Sequence, residues 1–192
     1  MAHPDDAELW VGGTLALHAR EAAACILVSS TEERRKREAR AGARVLGCEI
    51  VVGDELSREL IIDVTRSFQP NAIVTHHFDD THPEHRRTTE LVMEALPALV
   101  IQHNFPSRLY FCDSYNSMLR SMLFPGSVVV DVTETFEQKI KALRKHRSQP
   151  MVRFEPMARR MAAMWGGRAR VAWGEAFVPC PILGNIPRVG LL

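Results

Sequence analysis

Short apolar runs alternate along this chain with longer stretches in which apolar positions recur every three or four residues. Cys25 to Ser29, Glu49 to Gly53, Ala72 to His76, Leu109 to Cys112 and Val128 to Asp131 read as buried strands. The helical period runs from Ala7 onward, then from Glu32 to Leu46, Glu55 to Phe68, Pro83 to Val100 and Thr133 to His146. Thr31 is placed to cap the second of these helices and Gly47 to stop it, while Pro97 should bend or end the fourth. Strands alternating with helices predict an α/β fold, Rossmann-like, with a mostly parallel sheet and helices on both faces. Ligands in such sheets bind beyond the carboxyl ends of the strands. The first polar cluster already begins at His3, which leaves no room for a strand ahead of it. A doubly wound sheet normally has a strand there, so the first strand is expected to be absent from this chain.

Composition narrows the class without choosing a chemistry. At 192 residues the chain is expected to form a single domain over 1–192 with a sizeable core. A formal net charge of +1 supplies no global field for nucleic acid or acidic membrane, so neither is an expected partner. The basic groups Arg34 to Arg37 and Arg153 to Arg170 read as solvated helix faces. Apolar runs are too short to span a bilayer, and the start lacks the basic-then-apolar pattern of a secretory signal. Four cysteines, none in a C-x-x-C spacing, predict free thiols and a reducing, cytoplasmic setting.

Two clusters carry the candidate chemistry. Ala2-His3-Pro4-Asp5-Asp6-Ala7-Glu8 places one imidazole and several carboxylates within about a turn, and Asp80-Thr81-His82-Pro83-Glu84-His85 follows the third strand. His3 and Asp6 are spaced i, i+3, so both can face one point, and His85 can supply a third ligand from the distant loop. Two imidazoles and one carboxylate with an open position suit zinc, and equally a ferrous ion. Asp5 lies between the ligands and is free for other work. Each cluster alone is also what a polar helix start looks like; it is the pair, each at the ligand end of a sheet element, that points to a metal. Asp80 and Glu84 are candidates to orient an imidazole through its second nitrogen, and His146 could reach a pocket rim.

The chain resembles the LmbE/PIG-L family of N-acetylglucosaminyl deacetylases. Ala2 to Glu8 matches that family's Ala-His-Pro-Asp-Asp-x-Glu motif, and Asp80 to His85 resembles its Asp-x-His-Pro-Asp-His motif with Glu84 where Asp is usual. Arg35-x-x-Glu38 before Leu46-Gly47, the stretch from Lys139 through His146 to Gln149, and Gly174 to Phe177 are similar to its later segments. The resemblance implies His3, Asp6 and His85 as metal ligands, Asp5 as general base, and His82 as the group that stabilises the oxyanion or protonates the leaving amine. It implies that Arg35 contacts substrate, with His146 a further candidate. The implied reaction is removal of an acetyl group from an amino sugar or an amino-sugar-containing small molecule, such as an antibiotic intermediate. An amidase acting on a thiol-sugar conjugate and a non-catalytic sugar-binding relative are the alternatives. A homo-oligomer is compatible with either.

Overall fold

The computed structural model describes residues 1–185, so the last seven positions of the 1–192 unit lie outside the described residues. The elements run α1 (Asp6–Glu21), β1 (Cys25–Ser29), α2 (Glu33–Leu46), β2 (Glu49–Gly53), α3 (Arg58–Phe68), β3 (Ala72–Thr75), α4 (Pro83–His103), β4 (Arg108–Cys112), β5 (Val128–Asp131), α5 (Phe136–Leu143), α6 (Met151–Ala169) and β6 (Gly174–Cys180). A single 3-10 turn, Tyr115–Ser117, follows β4.

The α/β class expected from the periodicity is the class observed. The strands form two sheets. One is the parallel pair β1-β2, in register from Cys25 opposite Glu49 to Ser29 opposite Gly53. The other has the order β3-β4-β6-β5. There β3 and β4 are parallel, and β6 runs antiparallel to both β4 and β5. Pairing direction is a tertiary property, and the apolar runs that mark strands do not encode it.

Local chemistry explains where most elements stop and start. Gly47 ends α2 with φ 80°, a left-handed conformation that costs glycine nothing. The start of α2 departs from expectation: Glu32 is the capping position, its side chain caps nothing, and Ser30 Oγ rather than Thr31 accepts the Glu32 amide at 3.1 Å. Ser57 caps α3 by accepting the Leu60 amide at 3.1 Å. Helix α4 continues through Pro97 to His103. A proline inside a helix costs roughly 3 kcal/mol. Leu91, Leu96 and Leu99, buried against α3 and β4, each contribute about 1.5–3 kcal/mol and outweigh it. Helix α5 ends at Leu143, short of the expected His146, because the chain turns there and the His146 amide bonds to Leu143 O at 3.1 Å.

The main core lies between α1, α5, α6 and the larger sheet, built from Leu9, Trp10, Val11, Phe136, Ile140, Leu143 and Phe177. It fixes α1 against the sheet, and with it the polar turn at the head of α1. That turn, the β3–α4 loop and the segment after β4 meet at the carboxyl ends of the strands.

Candidate metal centre and active site

Asp6 is the hub of the polar centre. Its Oδ2 accepts the His3 amide at 2.7 Å and lies 3.1 Å from His3 Nδ1 and 3.3 Å from His76 Nε2. Its Oδ1 accepts Trp10 Nε1–H at 3.0 Å and lies 3.4 Å from His85 Nε2. The fold thereby brings His3, Asp6 and His85 together: one donor atom from each lies within 4.8 Å of the others.

Each imidazole is aimed by a second partner. Asp80 Oδ2 sits 3.0 Å from His85 Nδ1 and accepts Ser114 Oγ–H at 2.5 Å. Asp80 Oδ1 accepts the His82 amide at 2.8 Å, and Arg86 Nη1 donates to the Asp80 carbonyl at 2.7 Å. His85 therefore carries its proton on Nδ1 when neutral, which turns the Nε2 lone pair toward Asp6 and His3. That nitrogen is buried and has no hydrogen-bond partner among the described residues. A buried ring nitrogen without a partner, beside a carboxylate and a second imidazole, fits a divalent ion. His3 is held more loosely, with Nε2 against the exposed Glu84 carboxylate.

Burial works to raise the Asp6 carboxyl, but the surrounding imidazoles of His76, His3 and His85 hold it well below the usual carboxylate range. Burial also disfavours a charge on His85, and the carboxylates of Asp6 and Asp80 overcome that, pushing it up to about 9. His76 goes the other way: burial lowers it to about 4. A neutral His76 agrees with its Nε2 accepting the Ala2 amide at 3.0 Å.

Asp5 stands outside this cluster. It occupies the capping position of α1 but caps nothing with its side chain. Its Oδ1 accepts Arg35 Nη2–H at 3.0 Å instead. Burial, then the Asp6 charge, raises the Asp5 carboxyl, partly offset by His146 and Arg35. Arg35 is thus engaged with Asp5. His82 caps α4, its Nδ1 accepting the Glu84 amide at 3.3 Å. Burial and the neighbouring His85 and His3 charges lower its pKa, so the ring is neutral and its proton sits on Nε2 as a donor. Its ring centroid is 4.9 Å from that of His3.

His146 is not at a rim. It is 1% exposed, and its Nε2 lies 3.2 Å from Glu8 Oε1. The physical reason is Glu8, itself 1% exposed, since a buried carboxylate needs a charged or hydrogen-bonding partner. Periodicity put Glu8 on the first turn of α1 but gave no sign that this face is enclosed.

His76 and Tyr115 are members of the site that sequence reasoning underweighted. His76 is fully buried and stacks on His85 with ring centroids 3.7 Å apart. Its position at the end of a strand was the available signal. Tyr115 stacks over His85 at 5.6 Å and over His82 at 6.3 Å. It reaches them because Tyr115, Asn116 and Ser117 all take positive φ, a turn that Asp113 secures by accepting from Ser117 Oγ and the Ser114 amide.

An α/β fold with histidine and carboxylate donors converging at its strand ends defines a protein with a candidate divalent-metal centre. Residues 1–96 match the PIG-L family, described as GlcNAc-PI de-N-acetylase, and the chain belongs to that family. Three of the solved structures that share the fold illustrate the range of this similarity. GalB, the 4-carboxy-2-hydroxymuconate hydratase from Pseudomonas putida KT2440, is similar with a TM-score of 0.82 and 19% identity, covering 99% of this chain and 95% of that one. N,N'-diacetylchitobiose deacetylase from Pyrococcus horikoshii is similar with a TM-score of 0.72 and 24% identity, covering 94% and 82%. The zinc-inhibited form of teicoplanin deacetylase Orf2 is similar with a TM-score of 0.75 and 17% identity, covering 93% and 96%. Among the described residues no helix is long and apolar enough to cross a membrane.

Proposed function

We propose that this protein is a metal-dependent hydrolase that removes the N-acetyl group from an amino sugar or an amino-sugar-containing small molecule. The observation that carries the reading is the arrangement at the head of α1: His3, Asp6 and His85 within reach of one ion, and Asp5 beside them with its carboxylate bonded to Arg35. Family membership and two deacetylases among the similar structures support it.

His3, Asp6 and His85 would hold the ion, zinc or ferrous. Bound there, it supplies a Lewis acid that polarises the amide carbonyl and acidifies water. Asp5 takes the proton of the attacking water; Arg35 aims that carboxylate, and the rise that burial gives its pKa suits a base. The Nε2–H of His82 donates to the oxygen on which negative charge develops, and one such donor is typically worth ~3–4 kcal/mol. The departing nitrogen takes its proton from Asp5 or His82. Tyr115, over the two imidazoles, offers an aromatic wall for a sugar ring.

The hydratase among the similar structures means that the fold alone does not choose the electrophile. The same base and donors would serve water addition to an unsaturated carboxylate. The test is metal analysis coupled to acetate release over a panel of N-acetylated sugars, with an unsaturated dicarboxylate and a thiol-sugar amide as further arms. Acetate release that a chelator abolishes is the expected result. Metal-replete protein inactive on every N-acetyl substrate would overturn the deacetylase reading. Asp5→Asn is expected to retain metal and lose turnover by roughly 10²–10⁴-fold; unchanged turnover would remove its role as base. We place the activity in one 1–192 domain acting in the reducing cytoplasm, with all four cysteines unpaired.

A further inference from the structure

The segment that follows β4 is tied to the rest of the molecule through one buried carboxylate. Asp113 is 4% exposed, and its own amide bonds to Ala176 O on β6 at 3.2 Å. Its Oδ1 accepts the Ser114 amide at 2.8 Å. Its Oδ2 accepts Ser117 Oγ–H and, at 2.6 Å, the indole N–H of Trp165 on α6. Burial pushes this carboxyl up to about 6 even with those donors in place. Trp165 is itself fixed. Its ring lies against the bare backbone of Gly126, where a Cβ would come within 2.1 Å of it, and Phe124 meets it edge-on at 6.2 Å.

The carboxylate spans a turn that its residues do not favour. Tyr115, Asn116 and Ser117 have φ of 27°, 60° and 59°. Consecutive side-chain-bearing residues in the left-handed region persist only where their surroundings hold them. The chain beyond the turn is anchored separately. Ser121 donates its amide and its hydroxyl to Asp79 Oδ2, and the Arg120 amide bonds to Asp79 O. Loss of the Asp113 carboxylate therefore frees the turn without releasing the loop beyond it. What the turn carries faces the site: Tyr115 lies over His82 and His85 and meets Trp10 of α1 edge-on, 5.0 Å between centroids.

We propose that Asp113 is a positioning residue for the reaction, holding Tyr115 against the two imidazoles so that an arriving sugar ring meets a wall already in place. What the wall receives rests on the deacetylase reading; what holds the wall rests on the geometry alone. Asp113 acts through Tyr115 and touches neither substrate nor ion. Its bond to Trp165 makes α6, which supplies none of the candidate ligands, part of the support of the site. A preformed wall spares the ordering that binding would otherwise have to supply, so its loss falls on KM more than on kcat. His85 stays aimed when the turn loosens, because Asp80 is held by the His82 amide as well as by Ser114.

Asp113→Asn tests this, since it keeps the side-chain volume and removes the charge. The first readout needs neither metal nor turnover: the indole N–H resonances of the metal-free protein in a proton–nitrogen correlation spectrum. Tyr115→Ala marks where the Trp10 resonance lies with no aromatic ring beside it. In Asp113→Asn the Trp10 resonance is expected to move toward that mark, and the Trp165 resonance to move because its acceptor has changed. A Trp10 resonance that keeps its wild-type position would overturn the proposal. The second readout is a double-mutant cycle on an N-acetylated sugar that the protein turns over. Asp113→Asn is expected to raise KM roughly 3–10-fold, with kcat changed less than about threefold. In the Tyr115→Ala background the same substitution should change KM less than about twofold, because the wall is already gone. Additive losses would leave Asp113 a structural residue and sink the assignment. Should no N-acetylated sugar be turned over, the deacetylase reading fails while the resonances still decide this proposal. Trp165→Phe removes the indole N–H and keeps a ring, and it is expected to give a smaller shift of the Trp10 resonance in the same direction. It takes the place of Asp113→Asn if that variant does not fold, and an unmoved Trp10 resonance there counts equally against the proposal.

Discussion

The two imidazoles of the candidate metal centre are held in opposite ways. His85 is fully buried, and Asp80, itself bonded to Ser114, fixes its ring. His3 has a side chain 19% exposed and leans on Glu84, 68% exposed, at the open edge. One half of the site is pre-set by the fold and the other half adjusts. The difference teaches that the same residue type, placed by two similar motifs, carries unequal weight once its surroundings are known.

The sharpest way to break this comparison is to remove each imidazole. His85→Ala is expected to weaken zinc binding more than about 100-fold, beyond what loss of an orienting partner costs. His3→Ala should lose at least tenfold less, because its side chain is 19% exposed and water can take the position it vacates. Calorimetric titration of zinc into the two variants measures this. Equal losses would mean that burial of His85 confers no advantage.

Proton linkage tests the same asymmetry without a mutation at the ligands. In the metal-free protein, His85 titrates at about 9 against an ordinary 6.5. The folded state then binds the extra proton between those values. The stability it contributes is fully present below pH 6.5 and is lost as pH rises through about 9. Its size is on the order of 1–3 kcal/mol. Denaturant unfolding across that window should show the decline, and saturating zinc should flatten it, since coordination requires the neutral ring. A decline that zinc leaves intact would locate the titrating group elsewhere.

Asp80→Asn comes next. It keeps the volume of the side chain and removes the charge that orients His85. Zinc affinity should fall roughly 10–100-fold with the fold retained, as read by titration and circular dichroism. An unchanged affinity would show that Ser114 and packing suffice to aim the ring.

The legible part of this molecule was what local sequence encodes. Strand runs, the Gly47 stop and the convergence of His3, Asp6 and His85 all followed from spacing and the strand-end rule, together with family resemblance. What stayed hidden depends on what packs against what. His76 ends a strand, a weak signal by itself, and its burial and stacking on His85 are what bring it into the site. His146 was expected at a pocket rim, and nothing local marked Glu8 as buried; α1 and the turn after α5 enclose them both. Pro97 reads as a helix end, and burial on either side of it overrides that signal.

The smallest expected effect sits at Glu84, where this chain has the longer acid. Exposed ion pairs contribute about 0–1 kcal/mol. Glu84→Gln removes a charge that solvent already screens, so zinc affinity should fall less than about threefold. The same substitution frees His3 Nε2 from a carboxylate that competes for it, which further limits the loss. Glu84→Asp shortens the reach to His3 and should leave affinity within the same range. Both are read by the titration used for Asp80→Asn, under one buffer and salt condition. If Glu84→Gln cost as much as Asp80→Asn, the open edge would be as rigidly built as the buried side, and the contrast between the two imidazoles would disappear.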